Sequence, residues 1–474
     1  MIMIHFGTGG WRAVIGDEFT RGNLQLLAQA LCDKMKAEHV EDKDMVIGYD
    51  RRFLSKESMF WLAEVFAGNG IHTLLIERSC PTPLVMYYVQ QNALPYGLMV
   101  TASHNPAVYN GVKVFTRGGR DADKEQTNDL EKYANAVKDI HVLPLKQAEE
   151  EKLAEEIEPI NDYIDSILSD IDMSAIRKAD QHVALDPMYG VSETSIRTIL
   201  MTCRCQVDTI HGRHDPLFGG HLPAPNAKGL EELGVYVTSH RLDLGIATDG
   251  DADRIGIVDD KGNYLSPNDI LVILYWYLVK YRGKHGPCVR NLCTTHRLDR
   301  LAQSFGQECY EVPVGFKWVS AKMDETDAII GGESSGGMSV NGHIKGKDGV
   351  YAAALLVEMI AVTGKPMSQI MEEIHGIVGD AYMAEHSYRF EAELKSTFQQ
   401  RIMVDKEIPR LPYDIEHVSY LDGCKIFFTN DGWVSVRFSG TEPLLRIFCE
   451  MPKKEDAEKV CEIYREALGL KEES

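Results

Sequence analysis

Apolar residues recur every three to four positions over 24–37 and again over 58–69, where the run stops near Gly70, and this spacing predicts two amphipathic helices. Between them Met45-Val-Ile-Gly-Tyr49 is an unbroken apolar run of strand length, and a second such run over 97–101 leads into a polar loop. The alternation returns with strands expected over 182–185, 244–248, 255–258 and 288–293 and helices over 268–281 and 351–362, so α/β units fill roughly the first three quarters of the chain. Asp259-Asp-Lys-Gly-Asn263 reads as a hairpin turn and Gly364-Lys-Pro366 as a break between units. The last part differs: strand-like runs over 433–438 and 444–450 flank a loop, and a helix over 455–468 follows, an order that predicts a small α+β domain.

An acidic stretch poor in large apolar residues, 146–162, is the kind of connector that separates domains. A strand over 182–185 then opens a second unit that closes on an Asp-rich loop, and the strand over 255–258 opens a third. The expected division of the 474 residues is 1–150, 151–256, 257–370 and 371–474, three α/β domains followed by one α+β domain.

Charge narrows the class of partner. Lys and Arg number 50 against 71 Asp and Glu, a net charge of −21 that repels nucleic acid and anionic membrane over most of the surface. An anionic substrate would therefore need a local cluster of Arg, Lys and backbone N–H groups. Residues 1–6 carry no basic segment leading into a long apolar run, and the longest apolar run, 270–279, is too short to cross a bilayer, so a cytoplasmic protein without a membrane partner is expected. The ten cysteines include no C-x-x-C pair and read as reduced, mostly buried thiols. His211, His214 and His221 have the spacing of metal ligands, but the turn-forming residues between them argue against zinc.

Four loops carry candidate chemistry. In Thr101-Ala-Ser103-His104-Asn105-Pro106 the proline keeps Asn105 out of a helix and presents Ser103 at a strand-end turn; His104 and Lys113 are the partners a weak serine nucleophile needs, although the same residues also make an ordinary polar turn. In Asp249-Gly-Asp251-Ala-Asp253-Arg254 an extended backbone turns three carboxylates to one side, a hard-oxygen set suited to Mg²⁺ or Ca²⁺. Arg254 and Asp260 stand where a calcium-binding EF-hand loop needs Gly and Glu. Gly331-Gly-Glu333-Ser-Ser335-Gly-Gly337 offers one carboxylate and two hydroxyls to a polyol, or is a plain glycine-rich turn, and His343 and Lys347 downstream supply acid/base candidates. Arg437-Phe-Ser439-Gly440-Thr441-Glu-Pro443 makes either a phosphate cradle or a hairpin turn with a surface arginine.

Together with Phe6-Gly-Thr-Gly-Gly-Trp-Arg12, these motifs in this order resemble the signatures of the α-D-phosphohexomutases, the phosphoglucomutase and phosphomannomutase family, over residues 6–443. The resemblance implies three similar α/β domains and a C-terminal domain similar to the TATA-box-binding-protein fold around one cleft. It implies Ser103 as the phosphorylated nucleophile, which would also face the metal; Asp249, Asp251 and Asp253 as Mg²⁺ ligands; Arg12 and Arg254 as neutralising groups; and Lys113, Lys347 and His104 as acid/base candidates. Lys317, Glu333, Ser335 and His343 would meet the sugar, and Arg437, Ser439, Gly440 and Thr441 the phosphate that is not transferred. The implied reaction passes a phosphoryl group from phosphoserine 103 to a sugar phosphate through a hexose 1,6-bisphosphate that turns over within the cleft, with the phosphosugar as small-molecule partner and the protein a monomer or dimer. The His343 to Gly349 segment resembles the glucose-preferring enzymes, while Gly337 replaces a His usual in the bifunctional and glucosamine-type loops; mannose is the runner-up sugar, and a phosphosugar phosphatase or phosphoglucosamine mutase stands further off.

Overall fold

Four β-sheets divide the chain, described here from a computed structural model for residues 4–7, 10–438 and 443–470. The first runs in the order Phe6–Gly7, Gly10–Val14, Tyr109–Thr116, Tyr96–Val100, Met45–Tyr49, Thr73–Ile76, Ala154–Ile157, with Arg120–Asp121 paired to Tyr109–Thr116. Its central strands are buried on both faces: Val46, Leu74 and Met99 pack towards the helix Thr82–Gln91, whereas Ile47, Leu75 and Leu98 pack towards the helices Arg21–Ala37 and Ser55–Gly68. This two-sided burial is why those strands read as apolar runs without alternation.

The second sheet, Gln206–Thr209, His182–Asp186, Leu244–Thr248, Ile255–Val258, Tyr264–Leu265, and the third, Cys309–Val312, Cys288–Asn291, Ile330–Gly332, Met338–Val340, share one plan. In each, parallel strands lead to a last parallel strand whose chain turns back into an antiparallel neighbour. The first sheet has the same turn between Tyr96–Val100 and Tyr109–Thr116. Those three equivalent turns hold Ser103, the Asp249 to Asp253 loop and Glu333. The fourth sheet is wholly antiparallel, in the order Tyr382–Arg389, Leu444–Met451, Trp433–Phe438, Cys424–Phe428, Ile415–Ser419, backed by the helix Lys454–Leu468.

The sheets run past the expected boundaries. Ala154–Ile157, inside the acidic stretch expected to be a connector, pairs with Thr73–Ile76 at the sheet edge, where Glu155 and Glu156 stay in solvent and no apolar run is required. Ile255–Val258 belongs to the second sheet rather than opening the third, because the Asp259 to Asn263 hairpin returns it to Tyr264–Leu265, and a break at 256 would cut that strand. The helix Met367–Val378 crosses residue 370 and buries Ile370, Met371 and Ile374 against the central core, so the fourth sheet starts only at Tyr382.

That central core joins helices of all three α/β units. Pro267–Lys280 is apolar all round because it is covered on all sides, from Ile270 to Val279. No single helix among the described residues is long and apolar enough to cross a membrane; Gly349–Thr363 and Met367–Val378, apolar together, are bent by 86° at Gly364 to Pro366.

Candidate active site

The serine loop is fixed from below by a buried acid and a buried base. Thr101 Oγ1 donates to Asp50 Oδ2 at 2.6 Å and accepts the Ser103 N–H at 2.9 Å. Arg52, also buried, donates to four loop carbonyls: Ser103 at 2.6 Å, Asn105 at 2.7 Å, Pro106 at 2.9 Å and Tyr109 at 3.0 Å. Asp50 closes the unit by accepting from Ser55 Oγ and the Arg52 N–H. Ser103 itself adopts φ +52°, a left-handed conformation unusual for a residue with a side chain, and its hydroxyl donates to Asp249 Oδ2 at 2.6 Å. Asp50 and Arg52 were not among the sequence candidates; their signal is a polar cluster, Asp50-Arg51-Arg52, at the end of a fully buried strand.

The Asp loop passes directly beneath. A Cβ on Gly250 would lie 2.8 Å from the Ser103 carbonyl oxygen, so only glycine allows this approach. Asp249, Asp251 and Asp253 are buried, with ligand oxygens within 4.8 Å of one another. Thr82 Oγ1 donates to Asp251 Oδ2 at 2.6 Å, Lys113 Nζ lies 2.7 Å from both Asp251 Oδ2 and Asp253 Oδ2, and Lys347 Nζ lies 2.7 Å from Asp253 Oδ2. Arg254 Nε stands 3.8 Å from Asp253 and 4.0 Å from Asp249. Burial, reinforced by the Asp251 and Asp253 charges, pushes Asp249 well above the usual carboxylate range. Burial acts on Asp253 in the same direction, but Lys113, Lys347 and Arg254 outweigh it and hold that carboxyl well below the range. Burial pulls the Lys113 ammonium down, and Asp251 and Asp253 reverse this to hold it raised. Asp251 Oδ1 and Asp253 Oδ1 are buried with no hydrogen-bond partner, and orphaned acceptors in a three-carboxylate set fit a divalent cation that prefers oxygen.

Arg12 Nη1 donates to Asn105 Oδ1 at 2.9 Å, on the strand beside Lys113. His104 Nδ1 lies 3.3 Å from Ser103 Oγ, and burial, then the charges of Arg254 and Arg12, hold its ring far below the usual imidazole range. Asp121, which the sequence reading passed over, sits opposite Phe115 and hence on the same face as Lys113; burial raises its carboxyl despite the Lys347 and Lys113 charges, and Glu333 is also within its field.

Glu333 is buried, and its Oε1 accepts from Asn291 Nδ2 and the Gly315 N–H, each at 3.0 Å. Ser335 is exposed on the same loop, and Lys317 lies near the start of the helix Phe316–Thr326, with Nζ over the Trp318 ring. A Cβ on Gly337 would fall 2.2 Å from Lys347 Cδ, so the glycine makes room for the lysine that reaches Asp253. Arg437 Nε and Nη2 donate to Asp422 Oδ2. Ser439, Gly440 and Thr441 lie outside the described residues.

His343 departs from the expectation. Its Nε2 is 2.8 Å from Asp348 Oδ2, and the ring packs between Tyr351 and Tyr163, whose hydroxyl also donates to Asp348. Asp348 caps the helix Gly349–Thr363, so His343 is engaged in packing a helix start. His211 and His214 are likewise satisfied, by Asp186 and by the Arg51 carbonyl, and the Asp trio is the only metal-compatible group of His, Cys, Asp and Glu among the described residues.

Models of the phosphoglucomutase/phosphomannomutase family match in series: α/β/α domain I over residues 3–141, domain II over 161–262, domain III over 266–376 and the C-terminal domain over 414–467. A phosphoglucomutase/phosphomannomutase of Thermococcus kodakarensis is 28% identical over 466 residues, covering 98% of this chain and 97% of the relative. A probable phosphoglucosamine mutase of Pyrococcus furiosus is 28% identical over 473 residues, covering 99% and 98%. The crystal structure of a Thermus thermophilus protein assigned as a phosphomannomutase superposes with a TM-score of 0.86 at 28% identity over 99% of both chains. With four domain matches spanning most of the chain and a buried serine set against three aspartates, the protein belongs to the phosphoglucomutase/phosphomannomutase family and is a phosphohexomutase.

Proposed function

We propose that the protein interconverts glucose 1-phosphate and glucose 6-phosphate, with Ser103 as the phosphoryl carrier and a hexose 1,6-bisphosphate as intermediate. The observation that carries this reading is the 2.6 Å contact of Ser103 Oγ with Asp249, inside a buried cluster that Lys113 enters from the strand Tyr109–Thr116, Lys347 from the loop before the helix Gly349–Thr363 and Arg254 from the end of the Asp loop. A nucleophile there is surrounded by fixed charge, which is what phosphoryl transfer needs, since positioning and electrostatics do most of the work.

In the first half-reaction the sugar 6-oxygen bonds to the phosphorus of phosphoserine 103 as the bond to Ser103 Oγ breaks. Lys347 is read as the group that takes the hydroxyl proton and returns it when the second half-reaction runs the other way, while Lys113, held as an ammonium by Asp251 and Asp253, stays a fixed positive charge beside the transfer. Arg12 and Arg254 face the transferring group, and Arg437 grips the phosphate at the far end. Mg²⁺ held by Asp249, Asp251, Asp253 and the serine phosphate would supply charge neutralisation at the phosphoryl oxygens. Glu333, with Oε1 taken up by Asn291 and Gly315, has Oε2 left for sugar hydroxyls.

Glucose is favoured by the likeness of the His343 to Gly349 segment, which carries Lys347, to the glucose-preferring enzymes, and Gly337 leaves room for that lysine. Mannose, differing only at the 2-hydroxyl, is the nearest alternative. A second reading, glucosamine phosphate, draws on the Pyrococcus furiosus relative of equal identity. Following ³¹P signals with Mg²⁺, a trace of hexose 1,6-bisphosphate and each of the three sugar 1-phosphates in turn ranks them by rate. Fastest conversion of glucose supports the first reading, fastest conversion of glucosamine the second, and release of inorganic phosphate in place of the 6-phosphate contradicts both.

A further inference from the structure

One carboxylate oxygen of the fourth domain accepts from the turn after the strand Cys309–Val312, beside the residue whose N–H meets Glu333. Asp422 Oδ2 accepts from Arg437 Nη2 at 2.8 Å and Nε at 3.1 Å, and also from the backbone N–H of Val314 at 3.0 Å. The next N–H along, that of Gly315, donates to Glu333 Oε1. The arginine expected to grip phosphate and the glutamate expected to read hydroxyls are therefore linked through consecutive backbone N–H groups, those of Val314 and Gly315, on either side of one residue.

The backbone is shaped for this link. Gly423 has φ +89°, and a Cβ there would lie 2.4 Å from the Val436 carbonyl oxygen and 2.9 Å from Arg437 Cγ. The turn before the strand Cys424–Phe428 is thus pressed against the strand Trp433–Phe438, which delivers Asp422 to the guanidinium of Arg437. Because Asp422 engages Nε and Nη2, it fixes the plane of the guanidinium and leaves Nη1 for an anion.

We propose that Asp422 is a positioning residue for substrate: it orients Arg437 towards the non-transferring phosphate and ties that arginine to Val314, next to the Gly315 N–H that orients Glu333. This rests on the reading of Arg437 as a phosphate ligand. A phosphate held alike in ground and transition states contributes to binding rather than to the chemical step, so loss of Asp422 should act mainly on KM.

The test is a double-mutant cycle on the full-length enzyme with Mg²⁺ and glucose 1-phosphate, using Asp422→Ala, Arg437→Ala and the pair. Asp422→Asn is run beside them, since it can still accept from Val314 N–H while losing the charge on Arg437. The expected result is that each single change raises KM about tenfold or more with kcat within about threefold, that Asp422→Asn resembles Asp422→Ala, and that the pair is no worse than Arg437→Ala alone. If Arg437→Ala raises KM but Asp422→Asn and Asp422→Ala leave it within about twofold, or if the two effects multiply, the positioning role is overturned while the phosphate reading stands. If Arg437→Ala leaves KM unchanged, the phosphate reading falls and this role with it. Thermal unfolding of each variant identifies one that does not fold, and Asp422→Asn, which changes no volume, then decides alone.

Discussion

Arg52 Nη2 donates to the carbonyl oxygen of Ser103 at 2.6 Å, and the same guanidinium holds three more carbonyls of the serine loop. A left-handed serine costs about 1 kcal/mol of backbone strain, which these bonds offset. Arg52→Met keeps much of the side-chain length but removes every donor and leaves Asp50 buried without its cation. Its expected outcome is a loss of about 3 kcal/mol of stability and a kcat at least about a hundredfold lower, checked by denaturant unfolding and steady-state kinetics. Wild-type kcat in a folded Arg52→Met protein contradicts the role of Arg52 in setting the nucleophile.

Gly337 and Lys347 form a second coupled pair, in which space at one residue places the charge of the other. Gly337→Ala sets a Cβ 2.2 Å from Lys347 Cδ, and the flexible lysine must move away from Asp253. Activity should fall to about the level of Lys347→Ala, with little change in melting temperature, and the double variant should be no slower than Lys347→Ala alone. Multiplicative losses in the double variant are the contrary result.

The contact between the third and fourth domains should weaken in acid. His296 lies there between Phe427 and Trp433, near Glu311, Lys425 and Arg290, with Asp299 and Glu450 in the same network. Burial, then the charges of Arg290 and Lys425, lower its pKa from 6.5 to about 4. Between those values the unfolded chain binds the proton and the folded one does not, so stability is full above pH 6.5 and declines as pH falls towards 4, by on the order of 3 kcal/mol from this group. Glu311, held well below the usual range chiefly because its basic neighbours outweigh burial, loses its contribution in the same direction at lower pH. Urea unfolding at pH 7 and pH 5 should show the slope in the native protein and a smaller one in His296→Gln; equal slopes refute the assignment.

Chelation gives a fourth expectation. Treatment with EDTA should stop turnover and added Mg²⁺ should restore it, and Asp251→Asn should raise the Mg²⁺ concentration needed for half-maximal rate by about tenfold or more. Full activity in excess EDTA contradicts the assignment of the Asp trio as a metal site.

Much of this was legible in the chain because it is local. The apolar runs Met45–Tyr49 and Leu244–Thr248 announce strands buried on both faces, and a polar loop after each such strand marks the end where chemistry collects. Ala154–Ile157 was not legible, since an edge strand needs no apolar alternation and two of its four residues are exposed glutamates. Asp50 and Arg52 escaped because they serve the serine loop across about fifty residues of sequence, and Asp121 because only its pairing opposite Phe115 turns it to the face of Lys113. His343 misled for the converse reason: its place beside a loop rich in candidates says nothing of Asp348, five residues on, which takes its ring into a helix cap.

Whether Ser103 carries the phosphoryl group is decided by peptide mapping with mass spectrometry. The protein is incubated with Mg²⁺ and glucose 1,6-bisphosphate, digested and mapped, then mapped again after a chase with glucose 1-phosphate. The expected result is one phosphate on Ser103 that is discharged by the chase, no such phosphate in Ser103→Ala, and turnover in that variant below about a percent of wild type. A phosphate on another residue that discharges with the chase, or Ser103→Ala turning over at a rate near that of the native enzyme, would contradict it.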